Sequence, residues 1–230
     1  MKNPVYKRFL AYIIDIIIIT LIASLFSEIK ILNPYLEEYE NTSTEYLEIV
    51  KNSITNTTLT NVTNESSLSL YNLDDKLVNT AYNLSYYGIY VLIITLVVKL
   101  LYFVVFTYYN DGKTIGKALL KLKIKRKSNR KLKVIDLLIR SAIGYGLIFD
   151  LINILLLKLC DAKSYISING IVSYFEYGLF AAIIIMILFR KDNRGLHDLI
   201  ADTKVISTKE GEIKNENRDS KWSSWYRNKK

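Results

Sequence analysis

The sequence predicts an all-α polytopic membrane protein. It has four transmembrane helices, N-in/C-in topology and a small cytoplasmic β-hairpin near the membrane surface. Three observations predict this. Half of the 230 residues are apolar and 23% are charged, yet the two kinds are segregated into separate windows. Four of those windows are about long enough to cross a bilayer core of ~30 Å, which takes ~20 apolar helical residues. The lysines and arginines alternate between rich and poor connections in the order that four crossings require.

The first window, residues 9 to 26, holds 15 apolar residues in 18. Asp15 sits inside it and costs about 3 kcal/mol near a helix centre. Its Ile, Leu and Phe residues contribute about −0.5 kcal/mol each, or roughly −6 in total, so the segment inserts. It is longer than the apolar core of a cleaved signal peptide, and no A-x-A site follows, so it reads as an anchor. Residues 87 to 109 hold 19 apolar residues in 23, and residues 168 to 189 hold 17 in 22. Residues 141 to 160 are weaker, with 14 in 20. Four such runs in one short chain would leave a water-soluble globule too little polar surface to cover them.

Charge sets the orientation. Lys2, Lys7 and Arg8 precede the first window, and ten basic residues lie between 110 and 136. Eleven follow residue 189, whereas residues 27 to 83 carry nine acids and only Lys30, Lys51 and Lys76. Both termini are therefore expected in the cytoplasm. The net charge of +9 would suit nucleic acid, but its location points to an anionic leaflet instead. The expected partner is the lipid bilayer, not nucleic acid. A single cysteine, Cys160, excludes a disulfide framework and multi-cysteine metal sites. A single histidine, His197, excludes His–His metal pairs. No metal, cofactor or enzymatic activity is expected.

The connections differ in character. The extracytoplasmic insertion, about 27 to 83, reads as largely flexible, with a short amphipathic helix near Tyr46, Leu47, Ile49 and Val50. Its N-x-S/T triplets at Asn41, Asn56, Asn61 and Asn64, and the one at Asn83, are what an Asn-rich composition produces by chance. In the basic loop, Leu120, Leu122 and Ile124 alternate with Lys121, Lys123 and Lys125. This period of two marks a half-buried strand. A turn at Ser128 to Arg130 and a second strand through Leu132 and Val134 complete a hairpin. A third short strand, Thr203 to Ile206, could cover its apolar face. The competing reading is an interfacial amphipathic helix; the strict alternation favours the hairpin. Residues 207 to 230 read as a flexible cytoplasmic tail, with Trp222, Trp225 and Tyr226 either loose or dipping into headgroups.

Ionisable residues inside spans mark function or bundle contacts, because lipid makes them costly. They are Asp15, Lys99, Asp150 and Glu176. At ~1.5 Å per residue all four fall in one band on the inner side of the midplane. Convergence would place three acids and one base around a shared pocket. That is equipment for proton- or cation-coupled transport. The structural alternative is that Lys99 pairs with Asp15 or Asp150 only to hold the bundle together.

Arg8 with Asp15, the segment GKTIGKALLKLKI (112 to 124) and RGLHDLIADTKVI (194 to 206) together resemble the RDD family of bacterial membrane proteins. The family's arginine and two aspartates map to Arg8, Asp15 and Asp198. Gly112, Thr114, Gly116 and Lys117 are similar to its loop motif, and Arg140 matches a following arginine. Asp202 stands where the family pattern usually has glycine, so a different turn is expected there. The resemblance covers residues 1 to 206 apart from the insertion, and implies a bacterial plasma membrane location. It also implies transport, including cation/proton exchange in some members, and no enzyme chemistry. Arg190, Lys191 and Arg194 are expected at the inner headgroups, with Asp198 paired to Arg8 or Arg140 as an inner gate. His197 reads as a satisfied interfacial histidine in preference to a proton-exchange group. The leading expectation is a cation- or proton-coupled transporter or transport component, working as a homo-oligomer because four spans are few. The alternative is a non-catalytic membrane scaffold that binds partner proteins or lipids.

Overall fold

A computed structural model describes residues 5–59, 75–128 and 130–208. The tail with its tryptophans, and the triplets at Asn61 and Asn64, lie outside the described residues. Among the described residues, three helices are long and apolar enough to cross a membrane: α1 (Val5–Ser27), α4 (Ile89–Tyr109) and α8 (Ala162–Phe189). Their apolar side chains are largely uncovered; Leu25, Phe175 and Phe189 are 71%, 71% and 81% exposed. Such surfaces are stable against acyl chains and costly in water.

The window at 141 to 160 is not one straight helix. The chain forms α6 (Val134–Gly144) and α7 (Leu147–Leu159), a bent pair that supplies a fourth span if counted as one. The break falls at Tyr145 and Gly146, where Gly146 has φ +73°. A helix cannot continue through that backbone conformation. The third expected window thus holds a broken helix.

The chain divides into two compact units. The first comprises residues 1–19, 99–146 and 179–230. Its core joins Ala11 of α1 and Val104 of α4 to Leu122, Ile124, Leu137 and Val205. Here β1 (Leu122–Arg126) pairs antiparallel with β2 (Thr203–Ser207), in a register that sets Ile124 opposite Val205 and Arg126 opposite Thr203. Leu122 and Ile124 are buried and the intervening lysine is half-buried, as the alternation predicts. The local hairpin does not form. Lys133 is the N-cap of α6, and its backbone N–H donates to the Asp136 carboxylate at 2.9 Å. That bond satisfies an end group which a strand would have paired elsewhere, and draws Val134 into the helix. The strand expected as a third member is instead the partner of β1 among the described residues. Between α4 and β1 lies the short helix α5 (Ile115–Leu119); α9 (Leu196–Ile200) precedes β2. Gly112 has φ +76°, and a Cβ there would stand 2.4 Å from the carbonyl oxygen of Ile124. Only glycine lets the turn lie against β1.

The second unit comprises residues 20–98 and 147–178. Over residues 36–59 and 75–83 it corrects the flexible reading of the insertion; residues 60–74 lie outside the described residues. Residues there form α2 (Leu36–Leu59) and α3 (Asp75–Tyr87). The two run antiparallel, with Lys76 3.5 Å from Glu45. At the other end, a Cβ on Gly88 would lie 3.1 Å from the Tyr39 ring. Glu37 and Glu38 in the first turn of α2 complement its N-terminal dipole. No glycine or proline interrupts the chain from Tyr35 to Tyr87. Tyr35 contacts the rings of Tyr86, Tyr87 and Tyr90 with centroids 5.4 to 5.9 Å apart.

Candidate functional site: two buried carboxylates beside a basic cavity

Two buried aspartates organise the first unit. Asp15 is fully buried on α1. Its Oδ1 accepts from the Tyr102 hydroxyl at 2.7 Å and from the Gly116 backbone N–H at 2.8 Å. Its Oδ2 accepts from the Thr114 hydroxyl at 2.6 Å and from the Lys117 ammonium at 3.4 Å.

Local structure places each donor. Tyr102 lies in a π-helical stretch of α4, Leu101–Phe106. Such turns shift the angular position of the side chains they carry. The Tyr102 hydroxyl also accepts from the Ile115 N–H at 3.1 Å. Thr114 is the N-cap of α5; its oxygen accepts from the Lys117 N–H at 3.2 Å while its proton goes to Asp15. At Gly116 a Cβ would lie 2.4 Å from the Ala11 carbonyl oxygen and 2.8 Å from Asp15 Oδ1. The glycine is required so that backbone can approach the carboxylate. Lys117 donates further to the Tyr145 hydroxyl at 2.9 Å.

Asp198 is likewise fully buried. It accepts from Arg140, from Arg8 at 3.3 Å and from the Thr203 hydroxyl at 3.1 Å. Arg140 also donates to the Thr203 hydroxyl at 3.0 Å. Arg194 donates to the Asp198 carbonyl at 2.7 Å and the Thr203 carbonyl at 2.8 Å. Arg8 donates to the Asn193 carbonyl as well. Burial by itself would push the Asp198 pKa up, but the neighbouring cations, Arg140 foremost, hold it below the ordinary carboxylate range. His197 stands 3.5 Å from Asp198. Burial first, and Arg140 next, push its pKa down to about 3. That shift favours the uncharged imidazole at neutral pH.

A cavity of about 460 Å³ opens beside these groups. Arg8, Lys117, Arg140 and His197 line one part of it, with Tyr12 and Tyr145. Apolar residues of α8, from Phe180 to Leu188, line it too, together with Val5 and Phe9 of α1 and with Leu122 and Val205.

The structure thus gathers Arg8, Arg140, Arg194, His197 and Asp198 in one cluster, and Asp15, Gly116 and Lys117 in the other. Asp198 takes both of the arginines offered to it. One expectation changes: Arg194 is buried, donates to backbone carbonyls and does not reach for headgroups. The counter-charge that the geometry gives Asp15 is Lys117. Asp150 and Glu176 belong to the second unit. Both are half-buried, as is Lys99.

Sequence reasoning did not assign Tyr102, Tyr145 or Thr203 to the site, nor Thr114 as an Asp15 ligand. One signal was available for the tyrosines: a hydroxyl inside an apolar run requires a partner.

Apolar helices clothed in exposed aliphatic side chains, with a buried charged cluster in the first unit, define a multi-pass integral membrane protein. The RDD family model matches residues 3–202, and the chain belongs to the RDD family. No curated protein and no solved structure gives a match.

Proposed function

We propose that this RDD protein is a non-catalytic component of the bacterial plasma membrane. Both termini lie in the cytoplasm, and its charged face binds lipids or a partner at the inner leaflet. One observation carries the reading. Asp15 and Asp198 are each saturated by donors of the chain itself, and the adjoining cavity carries three cationic residues and, among the described residues, no carboxylate. A metal cation entering there meets repulsion from Arg8, Lys117 and Arg140. An anionic group meets attraction that low dielectric strengthens. The lysine- and arginine-rich connections support the orientation. The saturated carboxylates support a structural role, because removing one partner of a buried pair leaves the other uncompensated.

Cation/proton exchange is the second reading, and one observation favours it. Asp15 sits on a membrane-length helix with a single ammonium, Lys117, at 3.4 Å. A cation arriving at Asp15 would displace that ammonium and make it release a proton. The test is the full chain in proteoliposomes, with a pH dye reporting Na⁺/H⁺ and K⁺/H⁺ exchange. The expected result is flux no greater than in empty liposomes, for wild type and Asp15→Asn alike. Wild-type exchange that Asp15→Asn abolishes would sink the lipid- or partner-binding reading and establish the second.

A further inference from the structure

We propose that the cavity of the first unit is a site for one acyl chain of an anionic phospholipid, its phosphate head drawn to Arg8, Lys117 and Arg140. The inference rests on the lipid-binding reading and names its ligand and its place.

The cavity is amphipathic. Phe180, Ile183, Ile184, Ile187 and Leu188 follow one another on α8 at helical spacing and form an apolar wall. Arg8, Lys117 and Arg140 line it as well, each with a side chain no more than 9% exposed. Its volume of about 460 Å³ falls within the roughly 300–1,000 Å³ of small-molecule sites, which combine apolar walls with a few placed polar groups.

Two buried polar atoms of the lining residues have no hydrogen-bond partner: Arg140 Nε and His197 Nδ1. Such atoms are costly when unmet, and native structures rarely leave them so. Arg140 Nε–H requires an acceptor, as a phosphate oxygen provides. His197 Nε2 faces the Asp198 carboxylate at 3.5 Å, so the single proton of the neutral ring belongs on Nε2. Nδ1 then presents a lone pair and requires a donor, such as the hydroxyl of a glycerol headgroup. An anion bearing a hydroxyl, on an acyl chain, satisfies the arginine, the imidazole and the apolar wall together. A zwitterionic head would instead bring a quaternary ammonium toward three cations.

The test uses purified full-length protein in a neutral detergent. The probes are 1-palmitoyl lysophosphatidylglycerol, lysophosphatidylcholine of the same chain, and chainless glycerol 3-phosphate. Binding is read by native mass spectrometry and by the rise in unfolding temperature, which a ligand of the native state produces by mass action. The expected result is that lysophosphatidylglycerol binds at least tenfold more tightly than either of the others. Ile184→Trp, which fills the cavity without touching a charge, should weaken that binding at least tenfold and leave the ligand-free unfolding temperature unchanged. If this variant does not fold, Ile187→Phe takes its place. Equal binding of the two lysolipids, equal binding of glycerol 3-phosphate, or wild-type binding by the filled variant would each overturn the site. The flux measurement is independent. Exchange with intact lipid binding sinks the proposed function alone, and absent binding without exchange sinks only this site.

Discussion

At the scale of single residues, His197 and Asp198 tie stability to pH. Both release protons more readily in the folded chain than in an unfolded one: His197 from an ordinary 6.5 down to about 3, and Asp198 from below an ordinary 3.8. The unfolded chain therefore binds more protons, and stability rises with pH. Between about pH 6.5 and 3 the His197 contribution is lost at up to about 1.4 kcal/mol per pH unit, and Asp198 adds its own loss below the ordinary carboxylate range. Denaturation midpoints in detergent should hold level near neutrality and fall through the mildly acid range. His197→Asn should flatten the upper part of that fall. An unaltered slope in the variant would show that another group is responsible. Asp202 offers a second measurement. Its φ is +48°, so aspartate occupies a left-handed position that ordinarily favours glycine. A non-glycine residue there costs roughly 1–2 kcal/mol, and glycine loses back roughly 0.5–1 in chain entropy. Asp202 also lies 3.9 Å from Arg194 as a half-exposed pair, which is worth little. Asp202→Gly should therefore stabilise by up to about 1 kcal/mol, read as a higher unfolding midpoint. A loss of stability would mean that the Arg194 contact outweighs the backbone relief.

At the scale of elements, legibility followed the range of the forces involved. The strand at 122 to 126 was readable because alternation is local, and Leu122 and Ile124 do face the core. Its partner was not, because Leu132 and Val134 carry the same alternation as Val205. The choice was made by an end group: Asp136 caps the Lys133 N–H and commits Val134 to α6. The insertion was misjudged for a different reason. Its composition is polar, but composition does not measure periodicity. Tyr35, Tyr39, Thr42, Tyr46 and Ile49 are all half-buried and recur at intervals of four and three residues along α2. That is the stripe of an amphipathic helix packed on a neighbour. It was present in the sequence beyond the short piece around Tyr46. The broken span was partly legible: glycines at 144 and 146 fall inside the weakest window, although no local pattern requires positive φ at Gly146. In the site, Asp15 was legible as a charge inside an apolar run, whereas Arg8 and Asp198 were marked by the resemblance to the RDD family. Lys117 was visible only as part of a loop motif. Its pairing with Asp15 depends on the turn at Gly112 and the cap at Thr114, which return α5 to α1 across about a hundred residues of chain.

At the scale of the whole molecule, the balance of charge on each side of the bilayer decides how the proposed function can operate. Lysines and arginines favour the cytoplasmic side because translocating them is unfavourable and the inner leaflet is anionic. The basic connection at 110 to 136 and the residues after 189 then share one side, as the pairing of β1 with β2 requires. On the proposed orientation, the acidic segment that carries α2 and α3 is expected on the other side. Single cysteines read this arrangement, in a background where the native thiol is removed by Cys160→Ser. A probe at Lys51→Cys on α2 should react with a membrane-impermeant maleimide in intact cells. One at Lys127→Cys, beside β1, should react only after permeabilisation. The reverse pattern would place the cluster of Arg8, Arg140 and Asp198 on the outside, where the inner leaflet's anionic lipid is out of reach. Labelling of both sites in intact cells would mean that the chain does not cross the bilayer in the proposed order. With the expected pattern, the basic end of the cavity lies at the level where anionic headgroups gather, and the uncovered aliphatic faces of α1, α4 and α8 meet their acyl chains.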